Sequence, residues 1–465
     1  MGRLFYSYAD RYMITATVRR DGYCAFGKNH PHATFPSVAL GWVFSDEKFF
    51  EPITDVMNYG KLRLSWGKNG NRSLEDPYIS MANLSSGLGA TMTYLDKNGN
   101  PVSEYKYLMM DRLANNDLMW ENTASYNAGL DFGFFNNRLR GSIDVYHKET
   151  KNMLIYEKLP GFSGFTGIWT NIGQVNNDGV ELSLTSTNIK KKDFTWETTF
   201  GFSYNKNTIK HINYEMEEVL DANGNVVGMR EMNDTGNNWH IGQPIGTIWT
   251  YDFDGIWQVD QAEEAAKYGQ KPGDPRVINH YTGDDGVNAD GSSKAVYNDK
   301  DKTYHGTTIA PYFLNMRNEF KLWNSLSIAF SMYAKLGAKS TDTSYLNQGV
   351  NETNMFSYGY RYQEVDYWTP ENGNNKFARI NSQGPSGCTS PAKIINRNFL
   401  RLDNLSVGYT LPTKWTEKAG LSKIRLSASV RNLFVIHSSD WTFNTDPENG
   451  GLSTRVYNLG LNLTF

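Results

Sequence analysis

Residues 125–148, SYNAGLDFGFFNNRLRGSIDVYHK, constrain the fold more than any other stretch. On the first arm Tyr126, Ala128, Leu130, Phe132 and Phe134 alternate with Asn127, Gly129, Asp131 and Gly133. Past Asn136-Asn137, Leu139, Gly141, Ile143 and Val145 alternate with Arg138, Arg140, Ser142, Asp144 and Tyr146. Successive side chains of a strand point to opposite faces, so a period of two makes one face of each arm apolar and the other polar. The Asn pair tolerates the positive φ that a tight hairpin turn needs. Such a hairpin suits a boundary between lipid and a wet lumen. A soluble half-buried hairpin would show the same alternation.

The pattern recurs along the chain. Residues 4–8 and 12–20 form a hairpin around Ala9-Asp10, and 35–44 and 61–68 are further strands. Residues 45–59, with Phe49, Phe50 and Pro52, make a longer connection that holds a helical turn. Val180, Leu182 and Leu184 alternate with polar residues, as do the rings from Phe194 to Tyr204 after the turn NIKKKD. Residues 312–323 and 326–336 pair across Asn324-Ser325, and 402–411 and 424–436 flank PTKWTEKAGLSK. Tyr457, Leu459, Leu461, Leu463 and Phe465 close the chain, alternating with Asn458, Gly460, Asn462 and Thr464. About thirteen strands result. Loops of tens of residues (69–122, 205–310 and 337–398) separate some of them, tight or modest turns the others, and 149–170 reads as one more loop. The insertion 205–310 contains a strand-like piece at 246–257 and a helical patch, QAEEAAKYG.

Long connections on one side and short ones on the other are expected of an outer-membrane barrel, whereas a soluble sandwich spaces its turns evenly. Composition agrees. The chain has 465 residues, is 39% hydrophobic, and carries 28 Tyr, 24 Phe and 12 Trp, enough rings for aromatic girdles on a polar average. A net charge of −3 leaves no nucleic-acid footprint. No run approaches the roughly 18 apolar residues of a membrane helix. Cys24 and Cys388 both fall in loops, and their separation does not predict a disulfide. The start, MGRLFYSYADRYM, has no signal-peptide pattern and already reads as strand. With the long loops outside, the first and last strands both run inward, so an antiparallel cylinder needs an odd number of further strands. The expectation is therefore a C-terminal segment, 1–465, of an all-β transmembrane antiparallel barrel, lacking its first strands.

Several segments resemble the C-terminal half of SusC/RagA-type TonB-dependent outer-membrane receptors. They are YMITATVRRDGYCAFGKN, TFPSVALGWVFSDEKFF, LRLSWGKNGN, the stretch from LMWENTASYNAG to HKETKNML, YWTPENGNN, FLRLDNLSVGYTLP and VRNLF. The resemblance implies a barrel of about 22 strands plugged by an N-terminal domain. It also implies a SusD-like lipoprotein as an extracellular lid, energy delivered through a TonB box, and uptake of glycans or oligopeptides across the outer membrane of a Gram-negative, Bacteroidetes-like bacterium. Signal, plug and TonB box are absent from this sequence. The competing readings are a passive porin or autotransporter-type barrel, and a soluble secreted all-β carbohydrate-binding or hydrolytic protein.

On this reading Leu130, Phe132, Phe134, Ile143, Val145, Leu459, Leu461, Leu463 and Phe465 face lipid. Arg63, Asp131, Arg138, Arg140 and Asp144 face the lumen, with Arg425 and Arg431 in the same row. Ring-rich loops supply candidate substrate contacts at Trp120, Tyr358, Tyr360, Tyr362, Tyr367 and Trp368, since aromatic faces bind sugars and peptide side chains. The alternative is that these rings pack the loops together or contact the lid. No catalytic constellation is present: the histidines are scattered, GFSGF fails as a nucleophile elbow, and acid pairs such as Glu217-Glu218 and Glu263-Glu264 sit in polar loops. Asp284, Asp285 and Asp290 miss the spacing of a calcium loop and read as solvated turn residues. DKNGN from Asp96 and DANGN from Asp221 read as turns. No cofactor or metal is expected.

Overall fold

Period-two segments joined by tight turns can satisfy their backbone groups only by pairing with their chain neighbours, and one meandering sheet is the result. The computed structural model describes residues 1–465 except 73–75, 86–90, 213–214, 221–224, 281–294, 344–365, 374–376, 383, 385–387, 389–391 and 442–444. Thirteen strands form the sheet, and they are numbered here as wall strands. They are β1 (Gly2–Tyr8), β2 (Tyr12–Gly22), β3 (His32–Trp42), β4 (Met57–Asn71), β5 (Glu121–Phe134), β6 (Leu139–Lys158) and β7 (Gly167–Lys191). Then come β8 (Phe194–His211), β9 (Tyr312–Leu322), β10 (Leu326–Leu336), β11 (Phe399–Thr410), β12 (Lys423–His437) and β13 (Val456–Thr464). Every pairing is antiparallel and between consecutive wall strands.

Register carries the alternation of each strand into its neighbour. One row runs Tyr8, Tyr12, Trp42, Leu62, Leu130, Ile143, Leu182, Phe202, Leu314, Ala334, Leu400 and Ile436 from β1 to β12, apolar or aromatic at every step. On the opposite face the adjacent row runs Arg63, Gly129, Asp144, Glu181, Ser203, Phe313 and Lys335 from β4 to β10, polar or charged at most steps. A one-residue slip anywhere would exchange the two faces, so register is strongly specified.

On one side the links are short. Residues 9–11, 135–138, 192–193 and 323–325 are turns, and 43–56 and 411–422 contain short helical segments, among them Phe44–Asp46, Lys48–Ile53 and Thr413–Thr416. The tight turns use positive φ at Ala9 and Asp10, at Phe135, Asn136 and Asn137, and at Trp323 and Asn324. The last turn is thus centred on Trp323-Asn324 rather than Asn324-Ser325, with the Ser325 N–H donating to the Leu322 carbonyl at 3.1 Å. On the other side lie the long connections 72–120, 212–311 and 337–398.

Residues 149–170 are mostly strand, not loop. β6 continues to Lys158 and β7 begins at Gly167. A bulge between Thr150 and Met153, with Asn152 at φ 57°, interrupts the period and hides the continuation from a reading of alternation. β7 is 25 residues long, more than twice the roughly 9–11 that cross a bilayer, so the wall rises above the membrane on the long-loop side.

Candidate functional site: the lumenal face and its loops

The polar face begins with an ion triad. Arg63 on β4 reaches Asp131 on β5 and Asp144 on β6, each at 2.9 Å. Gly129 lies between Arg63 and Asp144 in register. A Cβ there would sit 2.5 Å from an Asp144 carboxylate oxygen and 2.7 Å from the Arg63 guanidinium carbon, so the glycine is what lets the charges meet. Farther along, Arg140 approaches Glu197 at 3.6 Å. Arg425 donates to the Ser327 hydroxyl at 2.8 Å and faces Thr410. Arg138 sits at the turn instead and donates to the backbone carbonyls of Thr187 and Asn188. These are wet, partly exposed charges, each pair contributing little to stability. Their consequence is a polar wall.

The opposite face is uncovered. Tyr126, Ile143 and Val145 are 51%, 38% and 52% exposed, and Leu459, Leu461 and Phe465 more so. No second layer of described protein packs on them. Phe132 differs at 8% exposed: its ring lies on Gly141 and beside Phe134, with centroids 5.6 Å apart, so wall neighbours hide it. Phe134 is half-buried in the same group.

At the long-loop end the connections fold on one another. Tyr251, Val277, Tyr297 and Cys388 form one core, and Ile256, Trp368 and Ala378 a second, so described parts of connections 212–311 and 337–398 pack together. Trp368 Nε1 donates to Gln258 at 3.1 Å, and Arg379 binds Asp274 at 3.0 Å across the same joint. A third core joins Trp120 to Phe26 and Phe35 and ties residues 23–31 to the top of β5. Trp120 and Trp368 are each 5% exposed. Their rings are consumed by packing, and the expectation that they contact substrate directly does not match this arrangement. Tyr367, 39% exposed, keeps an open face. Tyr358, Tyr360, Tyr362, Asp284, Asp285 and Asp290 lie outside the described residues. The DKNGN turn is present, with the Asp96 carboxylate accepting from the N–H groups of Asn98 and Asn100. Cys24 is exposed, while Cys388 is buried and unbridged. Burial pushes the Cys388 thiol up to about 12, so it is protonated at neutral pH.

One latch was invisible in the sequence. Arg401 on β11 and Asp446 in connection 438–455, 5% and 4% exposed, pair at 2.6 Å. Glu448 joins them, accepting from Arg401 at 3.2 Å, Lys335 at 2.8 Å and the Tyr333 hydroxyl at 2.7 Å. Arg397 donates to the carbonyls of Pro447 and Glu448. Burial pushes the Asp446 carboxyl up, but hydrogen bonds from Arg401, Ser453 and the Glu448 N–H outweigh it and hold the group below its usual value. The loop is thereby pinned onto the polar face of β10 and β11 at the rim.

A continuous apolar exterior, a charged interior and a rim of folded loops define an outer-membrane-type barrel wall. The sequence model for TonB-dependent receptor-like β-barrels matches residues 2–433, and the chain belongs to that family of outer-membrane proteins. A TonB-dependent receptor of Formosa agariphila is 28% identical over all of the chain and 45% of its own length. The TonB-dependent receptor SusC of Bacteroides thetaiotaomicron is also 28% identical, over all of the chain and 43% of its length. The chain thus spans a little under half the length of these curated relatives. The structure of the RagAB peptide transporter shares the fold, with a TM-score of 0.74 at 24% identity over the whole chain and 47% of the matched one.

Proposed function

We propose that residues 1–465 form the C-terminal part of the wall of a TonB-dependent importer that takes up glycans or oligopeptides together with a SusD-like surface lipoprotein. The observation that carries this is the pairing of two faces over thirteen strands, hydrocarbon-compatible outside and charged inside, under a rim of folded loops. Further strands complete the cylinder, and a plug with a TonB box supplies coupling to the inner membrane. The similarity to a protein named TonB-dependent receptor SusC supports TonB-dependent import, and the similarity to a structure described as a peptide transporter supports the oligopeptide arm of the reading. Of the rings singled out as substrate contacts, Tyr367 is one that keeps an exposed face among the described residues, and it is proposed to meet substrate. Trp120 and Trp368 hold the loops in shape. The wall performs no bond chemistry.

The test is uptake by cells producing the protein, with labelled oligosaccharides in one arm and labelled oligopeptides in the other. Uptake of one class that disappears when TonB is removed is the expected result. Uptake that persists without TonB would instead mark a passive pore. A protein that stays monodisperse in buffer without detergent would overturn the membrane assignment itself.

A further inference from the structure

We propose that His240 is an acid-sensitive joint between the wall and the loops packed above it. Residues 239–245 dock on the end of β8. There the Ile209 N–H donates to the Gln243 carbonyl at 2.9 Å, and the Gly242 N–H donates to the Ile209 carbonyl at 2.9 Å. The Asn207 side chain accepts from the Ile245 N–H at 2.8 Å. Trp239, Ile241 and Ile245 pack on Val175, Ile209 and Ile212. The His240 ring stacks on Trp249, with centroids 4.1 Å apart and planes 23° from parallel. Trp249 lies in the strand Thr247–Tyr251, which pairs with Lys302–Thr307 and carries Tyr251 into the loop core. One stacked pair thus joins the wall-docked segment to the loops.

His240 is 3% exposed, and neither ring nitrogen has a hydrogen-bond partner among the described residues. A neutral ring leaves one N–H donor unmet there, whereas an imidazolium leaves two and a charge. Stacking of the cation on the indole face recovers part of that loss. Burial outweighs it and holds the imidazole below its usual value of 6.5. The charged groups of the surrounding elements are engaged elsewhere. Asp234 accepts from the Asn237 N–H at 3.1 Å and from its amide at 2.7 Å. Glu231 accepts from His211 at 2.9 Å, and Lys302 pairs with Asp299 at 2.7 Å. Lys158, near Gly236, can only oppose a second positive charge. Tyr304 stands opposite Trp249 in register. His211 and His305 differ from His240, because each faces a carboxylate, Glu231 and Asp252. The closed joint therefore binds a proton more weakly than the opened one. It is at full strength above about pH 6.5 and weakens as pH falls below that value. Opening delivers the ring to water and frees the loops from the end of β8. On the barrel reading that water is the external medium, so the loops respond to acid outside the cell.

The experiment uses the full-length protein extracted from its host's outer membrane in mild detergent. Amide hydrogen exchange is followed by mass spectrometry from pH 7 to pH 5 and corrected for intrinsic rates. Protection of residues 239–249 should fall by up to roughly tenfold per pH unit below about 6.5, while the latch loop 438–455 stays protected. His240→Phe keeps a stacked ring and removes the titrating group, so its protection should be flat over the same range. His211→Gln should keep the wild-type response. Should His240→Phe fail to assemble, exchange of the His240 C2 hydrogen in the unmodified protein follows the same proton, with an expected midpoint below 6.5. Wild-type protection indifferent to pH, an unchanged response in His240→Phe, or a midpoint at or above 6.5 overturns the proposal. Exchange is measured whatever solvent bathes the outer face of the wall, so these outcomes remove the joint and leave the barrel reading standing.

Discussion

Leu130 and Asp131 are adjacent in sequence and belong to different solvents. Leu130 sits in the apolar row between Leu62 and Ile143, while Asp131 accepts from Arg63. Leu130→Arg should cost about 2–4 kcal/mol of membrane insertion if the site lies near the bilayer midplane, visible as loss of the heat-modifiable band on electrophoresis. Asp131→Asn keeps a hydrogen-bond acceptor for Arg63 and should assemble normally. Equal tolerance of the two changes would contradict the assignment of faces. Asp446 makes a different residue-level prediction. Its carboxyl is held below the usual value of 3.8, so it binds protons more weakly folded than unfolded. The stabilisation it contributes is therefore present above about pH 4, and is lost as pH falls through the depressed folded value. Hydrogen exchange in 438–455 should stay slow from pH 7 to pH 5 and rise only in stronger acid. Asp446→Ala, which leaves Arg401 buried and unpaired, should release the loop even at pH 7, at a cost of about 3–5 kcal/mol. A loop as protected in that variant as in the wild type would show that the pair is not the latch.

At the scale of elements, wall and loops differ in what a sequence can reveal. The wall was legible because each strand states its own two faces, and the alternation of residues 125–148 predicts the strands of a hairpin without reference to anything distant. It failed where the period itself breaks, at the bulge around Asn152, and where a turn uses Trp323 at positive φ in place of a residue that favours it. The loops were opaque for the opposite reason. Trp368 packs on Ile256 and binds Gln258, more than a hundred residues earlier, and Arg401 finds Asp446 across a turn and a further strand. No local spacing announces such partners, so Trp120 and Trp368 looked like ligand-facing rings when they are loop core. The loop unit should accordingly fail separately from the wall. Trp368→Ala removes a buried ring and its hydrogen bond, a loss of about 3–5 kcal/mol. Limited proteolysis should then cut within 212–311 and 337–398 while the heat-modifiable band persists. Loss of the band together with the loops would show that the loop core supports the wall as well.

At the scale of the molecule the question is closure. β1 and β13 each pair on one side only among the described residues, and every residue of β13 is exposed. Consecutive strands alternate in direction, so the first and thirteenth run the same way. Joining them edge to edge would create a parallel pair in a sheet whose other pairs are all antiparallel. An odd number of further strands removes the conflict, and a cylinder of about 22 supplies nine, the remainder after these thirteen. Two free edges with a row as apolar as Leu459, Leu461 and Leu463 are a template for association between chains. Residues 1–465 refolded alone into detergent should therefore run as mixed oligomers, without the sharp heat-modifiable monomer of a closed barrel, and should bind an amyloid-sensitive dye as concentration rises. Joined to the strands that complete the cylinder, the same residues should give that monomer. A discrete closed monomer from residues 1–465 alone would mean that β1 and β13 pair after all, and the proposal of a larger barrel would fall with it.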